Sequence, residues 1–228
     1  VVEAQAQMCT PEKISWVAER HPGCTVAIGL EAYDDRVLRF HVNKGFTTKQ
    51  WHSAVEMLRD NDLRVKTYLL FKPPFMSEGD ALVHTTSWLT KVAPYSDEVS
   101  VNPMNIQKNT IVDRLFRNKE YRPPWLWSLV EMITRSHEQL GDNRCRIIVH
   151  PTAGGKIRGA HNCGECDSEV VAAIERYSVS GDTSEFDHLK CMCQSHWRAE
   201  IDNDNHFPIP LGFGTFRRGN PTDIVRAP

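Results

Sequence analysis

The chain has 228 residues, 40% of them hydrophobic and 25% charged, with a formal net charge of −2. That length supplies one sizeable core, or one large domain with a small appendage. No window approaches eighteen apolar residues and no basic-then-apolar leader opens the sequence, so neither a membrane partner nor secretion is expected and the cytoplasm is the default location. The near-neutral balance argues against a broad nucleic-acid surface but is compatible with a local basic patch.

From residue 1 to about 150, short apolar runs alternate with amphipathic helical stretches, the signature of a parallel α/β sheet. Strands are predicted at "VAIGLE" (26–31), "LRVKTYLLF" (63–71), "EVSVN" (98–102) and "RCRIIVH" (144–150). Between the first two, a helix starting near Thr47 places Trp51, Val55 and Leu58 on one face. The next helix has Ser77 as its N-cap with Asp80 three positions on. A short helix capped by Asn109 follows, then a long one over 122–140 with Pro124 in its first turn. Trp125 and Trp127 in that stretch are suited either to stacking a base or to the core; spaced by two, they do not share a helix face, which favours core packing.

Each strand ends on a polar residue: Glu31 in "GLEA", Lys72 in "FKPPF", Asn102 in "VNPMN" and His150 in "VHPTAGG". The C-terminal ends of parallel strands are where such sheets bind ligands, so these four are expected to converge on one site.

After residue 150 the character changes. A glycine-rich, basic loop, "PTAGGKIRGAHN" (151–162), offers Lys156 and Arg158 as RNA-binding candidates, because glycine lets the backbone approach phosphate closely. Cys163 and Cys166 form a C-x2-C pair, and Cys191 with Cys193 a C-x-C pair, flanking a predicted helix at 168–178. Four thiolates so placed complete a closed tetrahedral zinc site at about 2.3 Å per bond, with no open position for catalysis. His161 is an alternative fourth ligand, and an iron-sulfur cluster on the same residues is the competing occupant. Cys9, Cys24 and Cys145 are scattered beside predicted strands and read as core. The expected organisation is therefore 1–150 for the sheet, 151–202 for a zinc-binding module, and 203–228 for an extended tail rich in proline and glycine.

Taken together, "AIGLEA", "NKGFT", "KTYLLFKPPF", "VNPMNIQKNTIVDRLFRNKEYRPPWLWSLVE" and "HNCGECD" resemble the Elp3-like radical SAM proteins of archaea, in the branch that forms archaeosine in tRNA. The resemblance runs from about residue 1 to about 200. It implies an α/β fold that is the C-terminal part of a partial TIM-like barrel, with S-adenosylmethionine and a 4Fe-4S cluster as cofactors. It also implies a tRNA substrate, whose lysine-modified preQ0 base becomes archaeosine, and a lysine-transferring tRNA-modifying enzyme as partner. By the same resemblance Glu31 falls where the superfamily contacts S-adenosylmethionine. Glu3 stands at the equivalent exit one strand earlier, and Lys72, Asn102 and Gln107 match the next two exits. The family's C-x3-C-x2-C loop is absent, and neither Cys9 nor Cys24 has the spacing to replace it. The expectation is a piece of a longer enzyme whose cluster-binding part lies upstream, with catalytic residues unassigned. A non-catalytic, zinc-containing tRNA-binding or partner-binding module is the competing function.

Overall fold

The computed structural model describes residues 1–141 and 145–206. Five parallel strands, β1 (Val2–Ala4), β2 (Thr25–Glu31), β3 (Arg64–Phe71), β4 (Glu98–Pro103) and β5 (Arg146–Val149), form one sheet in chain order. Arg144, at the start of the predicted fourth strand, lies outside the described residues. Because each crossover moves to the next position in the same direction, and crossovers are right-handed, the connecting helices are carried to one face. That is the winding of a barrel rather than of a doubly wound sheet, where the order reverses and both faces are covered.

The connecting elements are α1 (Pro11–Arg20), α2 (Asp35–Val37), α3 (Thr48–Asp60), α4 (Glu78–Val92), α5 (Ile111–Arg117) and α6 (Leu126–Leu140), followed by α7 (Asp167–Ser180) and α8 (Cys193–His206). The start signals act as read: Thr47 and Gln50 form a reciprocal capping box on α3, and the Ser77 hydroxyl accepts from the Asp80 amide. Trp51, Val55 and Leu58 are buried on one side of α3. Two expectations shift. The cap of α5 is Thr110, whose hydroxyl accepts from the Asp113 amide, while Asn109 takes a left-handed turn (φ 64°) just before it. Likewise α6 starts at Leu126, so Pro124 precedes the helix instead of sitting in its first turn. Among the described residues, no helix is long and apolar enough to cross a membrane.

Alternation along the strands separates two faces. Val26, Ile28 and Leu30, then Val65, Leu69 and Phe71, then Val99 and Val101 are buried beneath the helices. On the other face the register aligns Glu3, Ala27, Lys66, Glu98 and Arg146 in one row across all five strands. Lys66 pairs with Glu98 at 2.7 Å, Arg146 reaches the same carboxylate at 3.6 Å, and the Tyr68 hydroxyl donates to Glu3 at 3.2 Å. A parallel sheet is ordinarily apolar on both faces. Here one face carries charge and hydrogen-bonding groups in register.

The expected module at 151–202 is built onto the same core. Val170, Ile174, Tyr177 and Trp197 belong to the cluster that also contains Leu89, Met132 and Val149. The Trp197 indole donates to Ser128 on α6 at 2.8 Å, and the Gly79 amide at the start of α4 donates to Asp204 at 2.9 Å. Helix α8 runs past residue 203 to His206, so the segment read as tail begins as helix; residues 207–228 lie outside the described part.

Candidate functional site

Cys163 and Cys166 flank a tight turn that Gly164 makes at φ 96°, a conformation that strains any residue with a Cβ. Asp167 closes the turn by accepting from the Asn162 and Gly164 amides, both at 3.1 Å. Across from it, Cys191 precedes α8 and Cys193 opens it. The sulfurs stand 4.0 Å apart for Cys163 and Cys166, and 3.7 Å apart for both Cys163 with Cys191 and Cys166 with Cys193. All four lie within 4.8 Å of one another. A tetrahedral ion with sulfur ligands at about 2.3 Å requires sulfurs about 3.8 Å apart. The thiols therefore fit one ion. A four-iron cluster does not fit, because each of its thiolates binds a different iron and the sulfurs must spread further.

The surroundings orient the sulfurs. The Trp127 indole donates to Cys193 Sγ at 3.2 Å, and the Asn162 amide donates to Cys166 Sγ at 3.4 Å. Asn162 is itself fixed, since its carbonyl oxygen accepts from the Trp127 backbone amide at 3.2 Å. Hydrogen bonds of this kind hold ligands in place and tune their basicity. Trp127 is thus a core residue with a polar task, and Trp125 is buried as well. His161 is not among the converging ligands: its Nδ1 lies 2.8 Å from the Gly159 carbonyl, which corrects its reading as an alternate ligand. Backbone hydrogen bonding from Cys166 lowers the exposed Cys163 thiol to about 7, whereas burial raises Cys166 and brings Cys193 up to about 11. Loading a cation must displace protons from the buried thiols, so its affinity falls with acid.

The strand exits divide into two groups. Glu31 sits at φ 72° beyond a break in register at Gly29, and its Oε1 receives the Lys44 ammonium at 3.0 Å on the open face. Gly29 makes room for this pair, because a Cβ there would stand 2.6 Å from Glu31 Oε1 and 3.2 Å from Lys44 Nζ. Gly29→Ala is expected to displace the two flexible side chains rather than the backbone. It should lower stability by less than about 1.5 kcal/mol in a denaturant titration while separating Glu31 from Lys44 in a crystal structure. Glu3 and Asn102 share the open face, the latter half-buried and in register with Leu70. Gln107 is exposed in the loop beyond β4, and His150 is exposed at the exit of β5.

Lys72 does not join them. At φ 57° it turns back under the start of α4, is 4% exposed, and pairs with the buried Glu78 at 2.7 Å. Glu78 also accepts from the Trp125 amide at 2.9 Å, and the Tyr121 hydroxyl donates to the Lys72 carbonyl at 2.7 Å. The four exits therefore do not converge on one point. Sequence reasoning missed Lys44 and Glu78; the only signal for either was its presence next to a residue already singled out, in "NKGFT" and after Ser77.

In the glycine-rich loop Lys156 is exposed, whereas Arg158 is engaged internally. Its guanidinium donates to Asp113 at 2.7 Å and to the Ile106 carbonyl at 3.1 Å, fastening the loop to α5. The Arg158 hydrogen bond, followed by the Asn109 amide and Arg117, holds the Asp113 carboxyl at about 2. An unfolded aspartate titrates near about 3.9. Since the folded value is depressed, the contribution is complete above the unfolded value and is lost as pH falls through about 2. Melting temperatures measured across that range should fall less steeply with acid in Asp113→Asn than in the parent.

The fold is that of archaeal Elp3: a structure of the Methanocaldococcus infernus protein superposes with a TM-score of 0.59 at 15% identity, over 78% of this chain and 41% of that one. The chain is, more particularly, a homologue of the archaeosine synthase beta subunits. It is 37% identical over 206 residues to that of Thermococcus kodakarensis, covering 89% of this chain and 63% of the relative. It is 34% identical over 180 residues to that of Methanosarcina acetivorans, covering 78% and 51%. The chain thus spans between half and two thirds of the length of these relatives. No protein-family model matches it.

Proposed function

We propose that this chain is part of a cytoplasmic tRNA-modifying enzyme that forms archaeosine from a lysine-modified preQ0 base, and that it provides the later strands of a radical SAM barrel together with a zinc knuckle. The observation that carries this reading is the 37% identity to an archaeosine synthase subunit beta across 89% of the chain. A span that long contains β3 to β5 and all four converging cysteines wherever it starts.

S-adenosylmethionine reduced at a four-iron cluster supplies a carbon radical in such enzymes. The cysteines of this chain do not fit that cluster: four converge on a single-ion site, and Cys9, Cys24 and Cys145 lie elsewhere, without the C-x3-C-x2-C spacing. The residues of this chain bind and orient. Lys44 fixes one oxygen of Glu31, leaving the other to accept from a ribose hydroxyl or an ammonium group. Asn102 and Gln107 follow at the next exit, and Glu3 stands on the first strand of the same face. The four thiolates hold zinc as a closed, structural ion. That ion fixes the turn following the glycine-rich loop, where Lys156 meets tRNA phosphate; the association weakens as salt rises.

The test uses the full-length, cluster-bearing protein, purified anaerobically with its lysine-transferring partner, and tRNA carrying the lysine-modified base. Nucleoside mass spectrometry should detect archaeosine that depends on S-adenosylmethionine, and Glu31→Gln should reduce its formation at least tenfold while tRNA affinity is kept. Salt-dependent tRNA binding with no archaeosine would favour the binding-module reading, and absence of both would rule out a tRNA role.

A further inference from the structure

Beneath the start of α4, between the exit of β3 and the cysteine segment, the fold leaves a cavity of about 460 Å³ that none of the residues assigned above explains. That is ample for a small organic ligand. Its walls are largely apolar, with Met76, Phe116 and Tyr121 along one side. Helix α8 brings Glu200 and Asp204, one helical turn apart, to the other.

The two α8 carboxylates are held in a particular way. Glu200 accepts from the Trp125 indole through Oε2 at 2.7 Å, and Asp204 accepts from the Gly79 amide through Oδ2 at 2.9 Å. In each case one oxygen is fixed by the fold, and the second accepts from no donor among the described residues. Two of the cations at the cavity, Lys72 and Arg122, are already engaged on the protein side. Lys72 is paired with Glu78, and the Arg122 guanidinium lies 3.9 Å from the Trp125 ring centroid while donating to the Pro123 and His161 carbonyls. Counting Lys119 and Glu120 at the mouth, four carboxylates face three cations.

We propose that this cavity binds an alkylammonium ligand, with the aliphatic stem along Tyr121, Phe116 and Met76 and the ammonium group between Glu200 and Asp204. An ammonium has three donors and no acceptor, so it satisfies both second oxygens at once. A neutral hydroxyl brings a single donor and no charge, so it reaches only one of those oxygens with a weaker hydrogen bond, and an anion would strip their water and add repulsion. The proposal stands on the cavity alone and goes beyond the tRNA reading.

Calorimetric titration of the metal-loaded protein with pentane-1,5-diamine tests it, alongside two probes of equal length, the dianion glutarate and the neutral pentane-1,5-diol. The diamine should bind saturably, and the diol and glutarate should give no heat of binding. Glu200→Gln and Asp204→Asn should each weaken the diamine at least tenfold, whereas Glu56→Gln, an exposed carboxylate on α3, should leave it unchanged. Both cavity substitutions retain an oxygen that accepts the internal hydrogen bond, and unaltered zinc content checks that the fold is kept. No diamine binding at millimolar concentration, equal binding of the diol, or full affinity in both variants would overturn the proposal.

Discussion

Cys193→Ser is expected to release the bound metal and to lower stability by at least about 4 kcal/mol, which at this chain length moves Tm by roughly 8–16 °C. The sulfur lost is a buried one, and its neighbours depend on it. The Trp127 indole that now donates to Cys193 would face a hydroxyl, a weak ligand for zinc, and three thiols about 3.7–4.0 Å apart would remain packed without a cation. A metal held by the four cysteines would tie the turn at 163–166 to the start of α8, and α8 in turn carries Trp197 into the core against α6. Local melting should therefore spread from α8 toward α7 before the sheet is lost. A scanning calorimeter should show a low-temperature transition in the variant, and a chelator should reproduce it in the parent protein. Cys24→Ser, a half-buried thiol away from the cluster, should retain full metal content.

Lys72→Met is expected to cost about 3–5 kcal/mol, because it leaves the Glu78 carboxylate buried and unpaired beneath α4. The partner alone explains the size of the effect. Removing both charges, as Lys72→Met with Glu78→Gln, should restore most of the loss, since glutamine still offers an oxygen to the Trp125 amide. A double-mutant cycle by denaturant titration measures the coupling. Equal destabilisation by the single and double substitutions would mean that Lys72 contributes packing rather than charge. The pair anchors the loop after β3 to the first turn of α4, so Lys72 acts as a positioning residue for this exit rather than as a ligand contact.

Much of this architecture was legible in the chain because the signals are local. Period-two alternation in "LRVKTYLLF" and the i, i+4, i+7 spacing of Trp51, Val55 and Leu58 depend on neighbours in sequence, and both elements form where read. The cysteine cluster was legible for the same reason: a C-x2-C turn and a C-x-C pair carry their geometry with them. What was not legible depends on partners far along the chain. Arg158 reads as part of a basic patch until Asp113, 45 residues earlier, is found to accept from it. Lys72 reads as a strand-exit ligand until a left-handed backbone turns it toward Glu78. His161 stands two residues from Cys163 in sequence, yet its ring engages the Gly159 carbonyl while Asn162 and Cys163 enter the metal turn. The open charged face of the sheet is likewise a property of strand order, which no single strand reveals.

The four cysteines are assigned to one closed ion, apart from the ligand-binding groups of the open sheet face and of the cavity beside α8. X-ray absorption at the metal edge of the purified protein tests that assignment most directly. The predicted result is one zinc per chain, bound by four sulfurs at about 2.3 Å, with no second metal nearby. Iron with metal-metal scattering on Cys163, Cys166, Cys191 and Cys193, or zinc bound by oxygen and nitrogen in place of any of these sulfurs, would contradict it.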